Sequence, residues 1–245
     1  MTTASSPSAF QQGIRNAFSG NLPALVMFDL DGTLVDSVPD LAAAVDAVLL
    51  ELGRLPAGVN AVRHWVGNGA QVLVQRALAG AVAVPPLPSL DGTEQVLQEQ
   101  AHQLFLKHYR LLSGQFACLY SGVRECLAYL QAQGVAVVVV TNKPIEFVPH
   151  LLEDLHIAEF IQMSLGGDSC AEKKPHPEPL LRVLNELSMQ PQQALMVGDS
   201  RNDIEAARAA GVTSLAVTYG YNHGRPVREE MPDLICDSLL ELIEG

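Results

Sequence analysis

The 245-residue chain is punctuated by short apolar runs that stop at polar residues. The first is Ala24–Phe28, halted by Asp29, and four more follow: Val135–Val140, Ile161–Leu165, Ala194–Val197 and Ser214–Tyr219. Runs of four to six apolar residues suit strands buried on both faces. Helix-period segments separate most of them, and strand alternating with helix predicts a parallel sheet covered by helices.

The interval from Ser37 to about Phe116 breaks this rhythm. It contains no buried strand pattern. Instead it reads as helices over residues 41–53, closed by Gly53, over 70–80, closed by Gly80, and over 94–112. Residues 81–92, with three prolines, read as a loop between the last two. Ser37 is placed to cap the first helix, with Pro39 tolerated in its first turn. The expected fold is therefore α/β: a Rossmann-like parallel sheet core with an inserted all-helical cap. Residues 1–22 are expected to be a loosely docked tail, 23–37 and 117–245 the core, and 38–116 the cap.

Composition narrows the function. Hydrophobic residues make up 48% and charged residues 17%, as in a globular chain, but the formal charge is −12. Nucleic acid and anionic lipid both require a cationic face, so neither is an expected partner. An anionic substrate would need local neutralisation. Cys118, Cys126, Cys170 and Cys236 include no C-x-x-C pair and are expected to be reduced thiols in a cytoplasmic protein. The first 20 residues lack the apolar core of a secretory signal.

Four segments carry candidate chemistry, and each lies at a strand end or helix start. Asp29-Leu30-Asp31-Gly32-Thr33 follows the first run, and Thr141-Asn142 follows the second. Lys173-Lys174-Pro175 precedes a helix, and Gly198-Asp199 with Asp203 follows Ala194–Val197. Ligands bind beyond the carboxyl ends of strands in open α/β sheets, so all four can meet at one edge. Asp29, Asp31, Asp199 and Asp203 are then expected to crowd together, which requires raised pKa values or a cation. An all-oxygen donor set suits Mg²⁺. Zinc-type His/Cys clusters, G-x-S-x-G elbows and Walker loops are absent.

This ordered set resembles the haloacid dehalogenase superfamily from about residue 23 onward, and the helical insert is similar to its cap. WVGNGAQVLVQRAL, VTNKP, GGDSCAEKKPHPEPLL, VGDSRNDIEAARAAG and TYGYNHG resemble, more narrowly, the bacterial phosphoglycolate phosphatases. The resemblance implies that Asp29 is a nucleophile forming an aspartyl-phosphate and that Asp31 is the acid and base, starting protonated. It implies Mg²⁺ held by the Asp29 carboxylate, the Asp31 carbonyl and Asp199, with Asp203 a supporting residue or a ligand through water. Thr141, Asn142 and Lys174 (or, alternatively, Lys173) would hold the phosphoryl oxygens. Asp31 favours phosphate esters over haloacids, because an alkoxide needs a proton to leave and a halide does not. Gly67-Asn68-Gly69 could offer N–H groups to a glycolate carboxylate. His64 and Trp65 read as packing, Lys143 as either near the substrate or exposed, and Asn222-His223 as lying on the site edge without a role. The expected partner is a small phosphate ester, a phosphomutase on a sugar phosphate is the rival reading, and the chain is expected to be a monomer or homodimer.

Overall fold

A computed structural model describes residues 9–84 and 91–243. Six strands form one parallel sheet: β1 (Leu25–Phe28), β4 (Ala136–Val140), β5 (Met163–Leu165), β6 (Ala194–Gly198), β7 (Thr213–Val217) and β8 (Leu234–Cys236), in the order β5-β4-β1-β6-β7-β8. Their side chains divide with strand period. Val26, Phe28, Val137, Val139, Leu195 and Val197 join the apolar cluster on one face, while Leu25, Met27, Val138, Val140 and Met196 join that on the other. Each fully buried residue of β1 contributes roughly 1.5–3 kcal/mol relative to exposure. This two-sided burial explains why the strands read as unbroken apolar runs.

Between β1 and β4 the chain leaves through a two-residue antiparallel ribbon, β2 (Val35–Asp36) with β3 (Cys118–Leu119). Between these lie helices α2 (Val38–Glu51), α3 (Gly58–Trp65), α4 (Ala70–Ala79) and α5 (Gly92–Leu112). They pack a core of their own around Val45, Leu73, Trp65, Phe105 and Tyr109, to which Phe147 and Tyr221 of the sheet domain also contribute. Asp91 caps α5 by accepting the Thr93 and Glu94 N–H groups at 2.9 Å each. The proline-rich loop expected over 81–92 lies partly outside the described residues.

Asp40, fully buried in the first turn of α2, ties the insert's exit to its entrance. Its carboxylate accepts the Gly114 and Phe116 N–H groups at 2.7 Å each. Asp40→Ala would leave two backbone donors unpaired, and it is expected to lower stability by about 2–4 kcal/mol in urea titration.

Several elements differ from the sequence reading. Ser37 makes no side-chain cap; its N–H donates to the Tyr221 hydroxyl at 3.2 Å. Helix α3 and strand β8 carried too little pattern to be seen, being partly exposed along much of their length. In place of a loosely docked tail, residues 9–17 form α1 (Ala9–Ala17), which presses Ile14 and Phe18 into the core. Residues 1–8 lie outside the described segment. Helices α6 (Val123–Ala132), α7 (Val148–Asp154), α8 (Glu178–Glu186) and α9 (Arg201–Ala210) cover the sheet. All four cysteines are free. No described helix is long and apolar enough to cross a membrane.

Candidate active site

The site forms where β1 has β4 on one side and β6 on the other, so the carboxyl ends of three strands adjoin. Asp29 continues the ladder beyond β1, donating its N–H to Val197 O at 2.9 Å, and Thr141 does the same beyond β4, donating to Leu165 O. Asp199 follows β6 directly. Asp203 lies in the first turn of α9, where its Oδ2 accepts from the Ser200 N–H at 3.1 Å and hydroxyl at 2.8 Å in a capping box. Pairing of β1 with β6 thus sets Asp29 and Asp199 at adjacent strand ends.

Lys174 reaches this point from the segment before α8 and is 2% exposed. Its ammonium donates to Val140 O and Asp203 Oδ1, both at 2.6 Å, and lies 3.0 Å from Asp29 Oδ1. Burial alone would lower this ammonium's pKa, but Asp203 and Asp29 more than offset it and raise it, so the charge is retained. Lys173 turns elsewhere, donating to the Asn68 carbonyl at 2.8 Å. Of the two lysines, only Lys174 enters the carboxylate cluster.

Three carboxylates crowd here rather than the expected four: Asp29, Asp199 and Asp203 each place an oxygen within 4.8 Å of the others. Burial pushes Asp29 up to about 6, against the opposing pull of Lys174, and pushes Asp199 well above its ordinary range, with Asp203 adding to it. One lysine does not neutralise three acids. Asp29 Oδ1 accepts no well-aligned hydrogen bond although it is buried. An all-oxygen pocket with surplus negative charge and an unsatisfied acceptor fits a divalent cation. Asp31 departs from the expected crowding. Its carboxylate points to Lys143, whose ammonium lies 2.9 Å from Oδ1 and 3.2 Å from Oδ2, instead of sitting among the other acids.

Glycines shape the pocket around Asp199. A Cβ on Gly220 would run into the Asp199 side chain, and one on Gly198 into Asp203. Gly32, at φ +93°, combines a conformation other residues avoid with a close approach to Asp199 Oδ2. Asp199 itself is held by the Thr33 hydroxyl at 3.2 Å and the Tyr221 N–H at 2.7 Å. Gly220→Ala is therefore expected to displace Asp199 and weaken divalent-cation affinity by roughly 10- to 100-fold, the size of a disturbed ligand support, as read by calorimetric titration.

The helical insert closes over this edge. The Gly67 carbonyl accepts from Asn142 Nδ2 at 3.0 Å and Asn202 Nδ2 at 3.1 Å, while Asn68 Nδ2 donates to Asn202 Oδ1 at 3.3 Å. In this closed arrangement the Gly67 and Asn68 carbonyls face the core's donors, so the loop is first a latch. Gly67 and Gly69, but not Asn68, line the remaining cavity. His223, without a role in the sequence reading, holds its Nδ1 3.0 Å from the His64 carbonyl across the same seam. Trp65 is buried in the insert's core.

Two residues of the site escaped the sequence reading. Tyr221 links Asp199 to the β2–β3 ribbon: besides its N–H contact, its hydroxyl donates to Asp36 Oδ1 at 2.8 Å, and the Arg63 guanidinium lies 5.2 Å above its ring. Tyr109 of α5 receives a hydrogen bond from Lys143 at 2.6 Å. Tyr221 follows the apolar run Ser214–Tyr219 by two residues, within the TYGYNHG stretch, so a strand-end signal was available for it; Tyr109 lies inside α5, where no local pattern marks it.

Comparison with known proteins gives the family. The family model described as haloacid dehalogenase-like hydrolase matches residues 23–211. The chain is 53% identical to a phosphoglycolate phosphatase of Pseudomonas putida KT2440, covering 95% of this chain and 83% of that one. It is 49% identical to phosphoglycolate phosphatase 1 of Pseudomonas aeruginosa PAO1, covering 92% and 80%. Among solved structures, a predicted phosphoglycolate phosphatase from Haemophilus somnus 129PT aligns with TM-score 0.79 at 37% identity, covering 90% of this chain and 96% of that one. With a sheet that carries Asp29, Thr141 and Asp199 to one edge, where Lys174 joins them, and a match spanning residues 23–211, the chain belongs to the haloacid dehalogenase-like hydrolases.

Proposed function

We propose that this chain is a Mg²⁺-dependent phosphatase that hydrolyses 2-phosphoglycolate to glycolate and phosphate through an aspartyl-phosphate on Asp29. The observation that carries the reading is the buried constellation in which Lys174 joins Asp29 to Asp203 beside Asp199. The named relatives at about half identity supply the substrate.

Asp29 attacks phosphorus in line with the ester oxygen. The Asp29 Oδ–P bond forms as the P–O bond to glycolate breaks; Asp31, ion-paired with Lys143 rather than crowded among the other acids as expected, must take up a proton with the incoming ester before it gives that proton to the departing alkoxide. Asp31 then takes a proton from the water that attacks the same phosphorus, which frees phosphate and restores Asp29. Thr141, Asn142 and Lys174 hold the phosphoryl oxygens, supplying the positioning and charge on which phosphoryl transfer mostly depends. Mg²⁺ would be held by the Asp29 carboxylate, the Asp31 carbonyl and Asp199, with Asp203 supporting Lys174 and the ligand set. When bound, the ion offsets the negative charge of the carboxylates and of the transferring phosphoryl group. Residues 38–116 act as the cap, and their closure keeps bulk water from the intermediate.

The test is phosphate release with Mg²⁺ across a panel of small esters and sugar phosphates. The expected result is a kcat/KM highest for 2-phosphoglycolate. Isomerisation of a sugar phosphate without free phosphate would overturn the reading.

A further inference from the structure

Resting on the phosphatase reading, we infer that Lys143 is a specificity-determining residue that receives the carboxylate of the leaving group. Beside Asp29 and Asp31 the closed cap leaves a cavity of about 40 Å³. Its cap wall is apolar, built from Leu41, Val66, Leu73 and Phe105, with the Tyr109 ring. A leaving group bearing a second negative charge must be placed against that wall, and a bare carboxylate there would be strongly disfavoured. Lys143 is the single cationic side chain lining the cavity among the described residues. Lys174 is committed to Asp29, Asp203 and Val140, and Lys173 to the Asn68 carbonyl.

Lys143 is also built to keep its charge out of water. It is 4% exposed, with its ammonium 4.8 Å from the centre of the Tyr109 ring. An ammonium has three N–H groups, and here it has two partner groups, the Asp31 carboxylate and the Tyr109 hydroxyl. Its contacts to Asp31 Oδ1 at 2.9 Å, Asp31 Oδ2 at 3.2 Å and the Tyr109 hydroxyl occupy all three, and the longest, to Oδ2, is the one that a ligand carboxylate would take over. Tyr109 belongs to α5, so the cap itself supplies one of the groups that orient this donor. The position is distinct from that of Lys174: Lys143 lines the cavity and contacts Asp31, the proposed proton donor to the leaving group, whereas Lys174 contacts Asp29 and Asp203 and does not line it.

The test compares 2-phosphoglycolate with ethyl phosphate, which has a methyl group where glycolate has its carboxylate, in the wild type and in Lys143→Met with Mg²⁺ present. The readout is the ratio of the two kcat/KM values, which cancels any loss common to both esters through Asp31. The wild type is expected to favour 2-phosphoglycolate. In Lys143→Met that ratio is expected to fall by roughly 10- to 100-fold, the scale of one hydrogen bond to a charged group. An unchanged ratio, with both activities lowered alike, would overturn the inference and leave the phosphatase reading standing. So would a wild type that hydrolyses both esters equally. A wild type that releases phosphate from other esters but not from 2-phosphoglycolate would overturn both. Should Lys143→Met fail to fold, Tyr109→Phe removes only the hydroxyl that orients the ammonium, and the same ratio is expected to fall several-fold; no fall there overturns the inference.

Discussion

Asp29→Asn is expected to lose activity by a factor on the order of 10⁴ or more, the scale seen when a covalent nucleophile is removed. The amide keeps the shape but cannot form the aspartyl-phosphate. The same substitution is expected to leave the cation-free protein at least as stable as the wild type at pH 8. Burial lifts the Asp29 pKa from its ordinary 3.8 to about 6, so the ionised carboxylate opposes folding above that pH. Lys174 keeps Asp203 and the Val140 carbonyl as partners when the charge at position 29 is gone. A melting temperature that holds or rises while turnover disappears separates loss of chemistry from loss of fold. Full activity in Asp29→Asn would overturn the mechanism whatever the substrate.

Removing divalent cations with EDTA is expected to abolish turnover, and millimolar Mg²⁺ is expected to restore it. It should also expose a pH dependence of stability. The folded pKa of Asp29 lies above its unfolded value. Its favourable contribution is therefore complete below about 3.8 and is lost as pH rises through about 6. Asp199 is shifted in the same direction. Without cation, these two groups oppose folding increasingly from pH 5 to pH 8. A bound cation offsets that cost, and it binds only the ionised carboxylates. The rise in melting temperature on adding Mg²⁺ should therefore be larger at pH 8 than at pH 5, measured by calorimetry in matched buffers. An equal rise at both pH values would place the cation away from Asp29 and Asp199.

Much of the site was legible because backbone topology, not side-chain detail, brings it together. Asp29, Thr141 and Asp199 each stand one residue past a buried parallel strand, so pairing β1 with β4 and β6 places them side by side. The burial that makes those strands apolar runs is the property that makes them visible. Lys174 was marked by Pro175, and Asp203 by its place at a helix start. The segments that stayed hidden have weaker patterns. Strand β8 is an edge strand with one buried residue in three, and α1 puts Ile14, with Phe18 just after it, into the core.

What escaped prediction was partner choice. Asp31 was expected among the other carboxylates because it follows Asp29 by two residues, yet it pairs with Lys143, 112 positions away, under a tyrosine from the cap. The Gly67-Asn68-Gly69 turn, read either as an N–H donor to a ligand or as a simple inter-helix turn, also directs its Gly67 and Asn68 carbonyls to Asn142, Asn202 and Lys173. By itself the sequence determined the alternating strands and helices, the inserted helical block and the strand-end residues, because these follow from local periodicity and from where a buried strand must stop. Only the tertiary structure decided which carboxylates share one volume, which lysine faces which acid and how the insert latches, because those depend on distances between segments that no local pattern encodes.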